Sequence, residues 1–233
     1  MSEVSNIAAE APFLQLLLAA NPASENILSS HIESMNRKLP PQDRRSLEDI
    51  VSYGNYVLEA LNMEIKRFRE DFRQGEYWLA VIDRGEVSEF NSKLAMSKPH
   101  AAQLKDMLDL MFADKQLVGI DVAKLSSSTF SAKTDIIHRM LRNQYFVALE
   151  PEYEGQQRVI VSSKLLYSME PYFKETYGDK SLFKCLGCRH WVLQGKFCSN
   201  KKCNTRLHDW CYIPYFRSQG ITEGTCPECQ HPI

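Results

Sequence analysis

Apolar side chains recur every three or four residues over much of the first 180 positions, a spacing typical of helices that pack one face against a core. The pattern predicts helices over residues 9–20, 26–37, 43–72, 99–113 and 132–143. Pro40 and Pro41 separate the second helix from the third, which we expect to be one long helix with Gly54 as its weak point. The first 180 residues are therefore expected to be mainly helical.

Short runs rich in aromatic and β-branched residues interrupt these helices and predict strands. One strand is expected over 77–82, with a turn at 83–86 and a return strand over 87–90. A short helix is expected over 121–125, strands over 145–149 and 158–161, and a final helix over 162–177. A helical block followed by a hairpin thus occurs twice, which is the order of a winged-helix module. We predict an α+β fold with tandem winged-helix units, 1–92 and 97–178, although helical repeats or a plain helical bundle also fit the pattern.

Composition and charge exclude several classes of protein. The chain is 44% hydrophobic and 24% charged, which excludes wholesale disorder, and its net charge of −1 excludes a strongly basic protein that coats nucleic acid. We find neither an apolar run long enough to span a bilayer nor a signal peptide, so we expect a soluble, unexported protein with no membrane partner. The charge is uneven, at −5 for residues 1–180 and +4 for residues 181–233.

Cysteine separates the basic tail, residues 181–233, from the rest of the chain. All seven cysteines lie in this tail, and complete disulfide pairing would leave one thiol over. Seven cysteines and one histidine instead make two full sets of four zinc ligands, so we predict two zinc ions. About 50 residues cannot bury a sufficient core, and the ions are expected to contribute folding energy directly.

The spacing of these residues predicts which of them share an ion. They follow the pattern C-x2-C-x9-C-x4-C-x4-H-x2-C-x14-C-x2-C, which is four half-sites. In interleaved fingers, the first and third half-sites hold one ion and the second and fourth hold the other. The predicted sets are Cys185, Cys188, His208 and Cys211 for one zinc, and Cys198, Cys203, Cys226 and Cys229 for the other. A sequential pairing is the alternative, and His190 and His231 lie close enough to compete as ligands.

This ligand order resembles a RING finger, although PHD fingers, which read histone tails, share it. PHD fingers usually carry an aromatic residue two positions before the seventh ligand, where this chain has Gly224. A proline directly after the seventh ligand is typical of RING fingers, and Pro227 occupies that position. We therefore favour a cross-brace, RING-like zinc domain over 181–233.

Together, these features resemble one family, the RING-bearing non-SMC-element subunit (element one) of the SMC five/six chromosome-maintenance complex. The resemblance covers nearly the whole chain. The segments that carry it are 13–18, 58–67, 194–195, 206–211 and 215–216.

The family resemblance implies a function. Such a subunit binds a MAGE-type partner through its winged-helix region, contacts the kleisin, and supports DNA repair by recombination on chromatin in the nucleus. Its RING implies ubiquitin ligase activity, in which the domain positions a charged ubiquitin-conjugating enzyme and does no covalent chemistry. A non-catalytic assembly scaffold and a PHD-like histone reader are the alternatives.

Three residues of the tail are candidate contacts to the conjugating enzyme and ubiquitin. Leu186 supplies the apolar residue between the first two ligands, and Ile221 supplies a bulky residue before the seventh. Gln230 replaces the cation that usually follows the last ligand, so we expect weak ligase activity that depends on the partner. If all seven cysteines bind metal, none remains to carry ubiquitin as a thioester.

Other functions find less support in the sequence. The chain has no nucleotide-binding loop and no H-E-x-x-H motif, which argues against a nucleotide-driven or hydrolytic enzyme. The second helix of the second winged-helix unit offers Lys133, Arg139 and Arg142 as candidate DNA contacts. The net negative charge of residues 1–180 instead favours contact with protein, and we expect any DNA contact to be made through the complex.

Overall fold

The computed structural model describes residues 4–72, 75–85, 94–113, 119–122, 130–149, 157–178 and 181–233. Its internal contacts divide the chain into two units. Unit 1 comprises Met1–Glu70, Glu76–Glu86 and Ser163–Ser168, and unit 2 comprises Asp71–Gly75, Val87–Ser162 and Met169–Ile233. Within the described ranges, no helix is long and apolar enough to cross a bilayer.

Unit 1 contains a winged-helix fold. Its elements are α1 (Val4–Ala20), β1 (Ala23–Ser24), α2 (Glu25–Asn36), a 3-10 turn (Pro41–Asp43), α3 (Leu47–Glu59), β2 (Met63–Arg69) and β3 (Tyr77–Asp83). The strands form an antiparallel sheet in the order β1-β3-β2. Ser46 begins α3 with a capping box, because its hydroxyl accepts from the Asp49 amide and its amide donates to the Asp49 carboxylate. The core lies between the helices and the sheet and includes Phe13, Leu17, Leu28, Ile32, Ile50, Leu58, Ile65, Leu79 and Val81.

The prediction of one long helix over 43–72 was wrong. The helix ends at Glu59, and Asn62 takes a left-handed conformation with φ of 55° before β2 begins at Met63. The Asn55 side-chain oxygen accepts a hydrogen bond from the Ile65 amide at 2.6 Å, which fixes this turn. The apolar positions of β2 fit a helical period as well as a strand, so their spacing could not reveal the change.

The apolar character of α1 is explained largely by the core of its own unit. Phe13 and Leu17 are fully buried, and Leu14 and Leu16 pack against the same core. Leu18 is 51% exposed. Most of the apolar side chains of this helix are therefore covered within unit 1 and are not available to a partner.

The first part of unit 2 repeats the winged-helix order. Its elements are α4 (Lys98–Met111), β4 (Ile120–Asp121), α5 (Phe130–Arg142), β5 (Phe146–Leu149) and β6 (Arg158–Val161). The sheet order β4-β6-β5 matches that of unit 1. The return strand expected over 87–90 and most of the short helix expected over 121–125 lie outside the described residues, and Asp121 itself is in β4.

The final helix expected over 162–177 is two helices, α6 (Ser163–Ser168) and α7 (Glu170–Tyr177). Met169 separates them with φ of −128° and ψ of 30°. Pro171 has no amide hydrogen to donate to the carbonyl of Tyr167, so a continuous helix would lack a bond at this point. The proline is instead tolerated in the first turn of α7.

The tail folds into two short hairpins and one helix. Strands β7 (Phe183–Lys184) and β8 (Trp191–Val192) pair, as do β9 (Lys196–Phe197) and β10 (Arg206–Leu207), and α8 (Asp209–Gln219) follows. The small core of this domain consists of Cys185, Val192, Leu207 and Phe216. Cys185 is thus both a predicted zinc ligand and a core residue.

Candidate metal centre

The first half-site is a tight turn closed by backbone hydrogen bonds. The Arg189 amide donates to the Cys185 carbonyl at 2.9 Å, and the Cys185 amide donates to the His190 carbonyl at 2.7 Å. Arg189 takes a left-handed conformation with φ of 64°, which turns the chain back directly after Cys188. The turn holds Cys185 and Cys188 so that both thiols can face one ion.

The last half-site has the same geometry. The Gln230 amide donates to the Cys226 carbonyl at 2.9 Å, the Cys226 amide donates to the His231 carbonyl at 2.7 Å, and Gln230 has φ of 62°. The sequence C-x2-C-x-H occurs at both places, and in both the histidine contributes its backbone carbonyl to the turn. This explains why His190 and His231, which were candidate ligands, lie outside both clusters of ligand atoms in the described residues.

Four predicted ligands meet at the first cluster. One ligand atom from each of Cys185, Cys188, His208 and Cys211 lies within 4.8 Å of every other. His208 Nδ1 is 3.3 Å from Cys188 Sγ and 3.8 Å from Cys211 Sγ. A tetrahedral site with metal–sulfur bonds of about 2.3 Å has ligand–ligand edges of about 3.8 Å, so the spacing fits zinc.

The other four predicted ligands form the second cluster. Cys198 Sγ lies 3.3 Å from Cys229 Sγ, and Cys203 Sγ lies 3.7 Å from Cys226 Sγ. These separations far exceed a disulfide bond of about 2.05 Å, and all seven cysteines are free. Each cluster joins two half-sites that are not adjacent in sequence, so the arrangement is a cross-brace. Two clusters positioned for two metal ions, with the donor chemistry of zinc, agree with the predicted cofactor.

His208 is the one nitrogen donor of the two clusters, and its charge depends on the metal. Burial opposes its protonation, but hydrogen bonds to the sulfur atoms of Cys185 and Cys188 and the nearby Asp71 carboxylate raise the pKa of His208 to about 10 in the metal-free chain. A zinc ion on Nδ1 displaces this proton. Metal binding to the first cluster should therefore release protons and strengthen as the pH rises.

Asp71 is a buried acidic residue at this site that sequence reasoning missed. Its Oδ1 lies 3.4 Å from His208 Nε2, and both side chains are 2% exposed. Burial raises the pKa of Asp71 to about 6, against the lowering effects of His208 and of the Leu193 and Gln194 amides. No metal-ligand spacing or motif includes Asp71, so nothing in the linear sequence connects it to the tail.

The candidate contacts to a conjugating enzyme lie in different environments. Leu186 is half-buried against the core of the tail, whereas Ile221 is 40% exposed and Gln230 is exposed. Ile213 of α8, which sequence reasoning missed, is 43% exposed. The apolar positions of α8 do not follow one helical face, so their spacing does not single out Ile213.

Comparisons with known proteins agree with this arrangement. The family model described as a RING-like domain matches residues 185–229, which include all eight predicted ligands. The human protein named non-structural maintenance of chromosomes element 1 homolog is 27% identical over 227 residues, covering 93% of this chain and 80% of the human protein. The Bos taurus protein of the same name is 29% identical over 190 residues, covering 78% of this chain and 67% of the bovine protein.

A solved structure supports the fold. One chain from an Nse1-Nse3-Nse4 complex superposes with a TM-score of 0.74, covering 96% of this chain and 95% of that chain at 18% identity. The predicted fold, with tandem winged-helix units followed by a cross-brace RING-like domain, is confirmed. The resemblance to the element-one family is confirmed by relatives that align with most of the chain.

Proposed function

We propose that this chain is a subunit of an SMC five/six complex, in which it binds a MAGE-type partner, contacts the kleisin and carries a RING with partner-dependent ubiquitin ligase activity. It acts on chromatin in the nucleus, in DNA repair by recombination. The observation that carries the proposal is the cross-brace of eight ligands, which follows two winged-helix units in the sequence of a chain that aligns with element-one relatives over most of its length.

The eight residues of the two clusters are the zinc ligands in this proposal. Elemental analysis of the purified chain should give two zinc ions, and His208→Ala should remove one of them. His190→Ala is the matched control, because His190 is exposed and contributes its backbone carbonyl to the turn of the first half-site. A stoichiometry near one for the native chain, or equal zinc loss in both variants, would contradict the assignment.

The partner-binding surface lies at the carboxyl end of α3. Tyr56 is 77% exposed, Leu61 is 67% exposed and Val57 is 40% exposed, which is more apolar exposure than one helix end usually shows. Leu18 of α1 and Ile27 of α2 are also more than half exposed in the same unit. This unit therefore offers apolar side chains that an obligate partner could cover.

A pair of charge substitutions tests this surface. Leu61→Asp should weaken binding to the MAGE-type subunit at least tenfold, because a charge would be buried in the interface (roughly 1.4 kcal/mol per tenfold). Leu110→Asp is the matched control, since Leu110 is 60% exposed on α4, in unit 2. Equal binding of both variants, with both folded, would place the interface elsewhere.

Ligase activity in this proposal rests on positioning. With all seven thiols committed to zinc, the domain holds the conjugating enzyme so that its thioester is aligned for attack. Leu186 and Ile221 supply the apolar contacts, while Gln230 offers hydrogen bonds without a positive charge. Gln230→Arg should raise chain formation in the presence of the partner, and an unchanged rate would argue that ubiquitin does not engage this tail in the usual geometry.

A non-catalytic assembly scaffold is the second candidate, and the missing cation at Gln230 is the observation that favours it. A scaffold should show no ubiquitin transfer with any conjugating enzyme and should lose partner binding when the zinc sites are broken. The winged-helix units are assigned to protein contact rather than to autonomous DNA binding. Arg139, a candidate DNA contact, donates instead to the carbonyls of Leu94 and Ala95, both at 2.9 Å.

A further inference from the structure

Asp71 lies in the connection between β2 and β3, far from the tail in sequence, yet it is buried beside the first metal cluster. The segment Asp71–Gly75 belongs to unit 2, together with the tail. Asp71 Oδ2 accepts hydrogen bonds from the Leu193 amide at 2.7 Å and from the Gln194 amide at 2.9 Å. One oxygen of this carboxylate therefore anchors the chain that follows β8.

The other oxygen of Asp71 faces a metal ligand. With His208 Nδ1 directed at the thiols, its Nε2 carries the ring proton and points to the Trp191 carbonyl at 2.9 Å, with Asp71 Oδ1 at 3.4 Å. Ligating histidines commonly donate this second N–H to a carbonyl or a carboxylate, which fixes the ring orientation and makes the ligand more basic. Here a buried negative charge accompanies the carbonyl.

A second contact from the same connection meets the same half-site. A Cβ added at Gly75 would lie 2.5 Å from Cε3 of Trp210, and Gly75 has φ of 70°, a conformation that favours glycine. The Trp210 ring in turn stacks on the His208 imidazole, with centroids 4.5 Å apart and planes 10° apart. The connection therefore approaches His208 twice, once through a carboxylate and once through the ring stacked on it.

We propose that Asp71 is a positioning residue of the first zinc site, which makes metal binding by His208 depend on a segment outside the zinc domain. The inference rests on the proposed assignment of His208 as a zinc ligand. Asp71 does not touch the ion; it holds the imidazole and the chain after β8 in the orientation that the ion requires. Such outer partners typically contribute about 10- to 100-fold to metal affinity.

Asp71→Asn separates the two roles of the carboxylate. Its side-chain oxygen can still accept from the Leu193 and Gln194 amides, and this orientation turns the NH2 group toward the Nε2 proton of His208, so two donors face each other. If Asp71 positions the histidine, zinc affinity at one of the two sites should fall at least about tenfold. If Asp71 only anchors the backbone, Asp71→Asn should bind zinc as the native chain does, while Asp71→Ala should not.

The measurement uses the full chain loaded with zinc. Zinc is withdrawn by competition with a chelator and reported by a metallochromic dye, and two-bond proton–nitrogen spectra of the labelled imidazole record the tautomer and the Nε2–H of His208. Asp209→Asn is the matched control, since Asp209 follows His208 directly but is 58% exposed in its ion pair with Lys196. Gly75→Ala is the second variant, and it should weaken the same site.

The outcomes separate this inference from the zinc assignment itself. A native chain with fewer than two zinc ions would overturn the assignment. A native chain with two ions, together with Asp71→Asn and Gly75→Ala variants that release zinc at the native rate and keep the native His208 spectrum, would overturn the role of Asp71 alone. Selective loss of one ion in both variants, with Asp209→Asn unchanged, is the result that the inference predicts.

Discussion

Truncation of Phe216 tests how much the small core of the tail and how much its metal sites contribute to the folding stability of this domain. The Phe216 side chain is fully buried in α8 and packs with Cys185, Val192 and Leu207. Its ring also contacts the Tyr212 ring, with centroids 4.9 Å apart. Phe216→Ala should cost about 3 to 5 kcal/mol, since buried phenylalanine truncations lose transfer free energy and leave a cavity.

This loss is as large as the packing energy that a domain of this size can supply. A core in so small a domain rarely contributes more than about 3 to 5 kcal/mol, whereas a structural zinc ion contributes about 10 to 16 kcal/mol. The variant should therefore stay folded with zinc bound and unfold when the metal is withdrawn. Because Cys185 belongs to the same core, the first site should release its zinc at lower chelator concentration than in the native chain.

Ile213→Ala is the control, because Ile213 lies on the same helix and is 43% exposed. It should cost less than about 1 kcal/mol and leave the chelator midpoint close to native. Zinc release against chelator concentration, recorded by dye on the full chain, measures both variants. Equal midpoints for Phe216→Ala and Ile213→Ala would refute the argument that packing around Cys185 supports the first site.

Three further predictions address other parts of the molecule. Ser46→Ala should destabilise unit 1 by about 1 kcal/mol in urea unfolding, because it removes the capping box of α3, and an unchanged midpoint would contradict the cap. Burial lowers the pKa of Lys164 to about 8, so the unfolded chain binds more protons between about pH 8 and 10.5 and stability should rise with pH in that window. Relative to Lys164→Met, the free energy of unfolding of the native chain should rise by about 1 kcal/mol between about pH 7 and 9. If the difference in stability between the two proteins did not depend on pH, the lowered pKa of Lys164 would be excluded. Zinc affinity at the first site should weaken about tenfold per pH unit on acidification for each proton displaced, as measured by chelator competition at two pH values, and an affinity independent of pH would contradict this displacement.

The parts of the fold that depend on local spacing could be predicted from the sequence. The pairing of ligands into two clusters follows from four half-sites, each made of two ligands close together in sequence, and the structure groups the same eight residues. The second winged-helix unit was also predictable, because strands β5 and β6 are short, apolar and close to the expected bounds.

The features that depend on contacts between distant residues could not be predicted. The change from α3 to β2 depends on the left-handed conformation of Asn62 and on the pairing of β2 with β3, whereas apolar spacing alone is compatible with a continued helix. Asp71 carries no motif, and its role arises only when the β2–β3 connection meets the chain after β8. The apolar spacing of α1 does not reveal what covers its apolar residues, whereas the structure shows that Phe13 and Leu17 are buried in the core of unit 1.

Ubiquitin chain formation in a reconstituted assay with the MAGE-type partner tests the proposed function most directly. Leu186→Ala should reduce chain formation at least about tenfold while the chain keeps two zinc ions, because it removes an apolar contact to the conjugating enzyme and no metal ligand. Ile221→Ala should also reduce it, and Leu110→Ala, at an exposed leucine of α4, should leave it unchanged. Native activity that Leu186→Ala and Ile221→Ala leave intact, or no activity with the partner present, would contradict the assignment of a working RING.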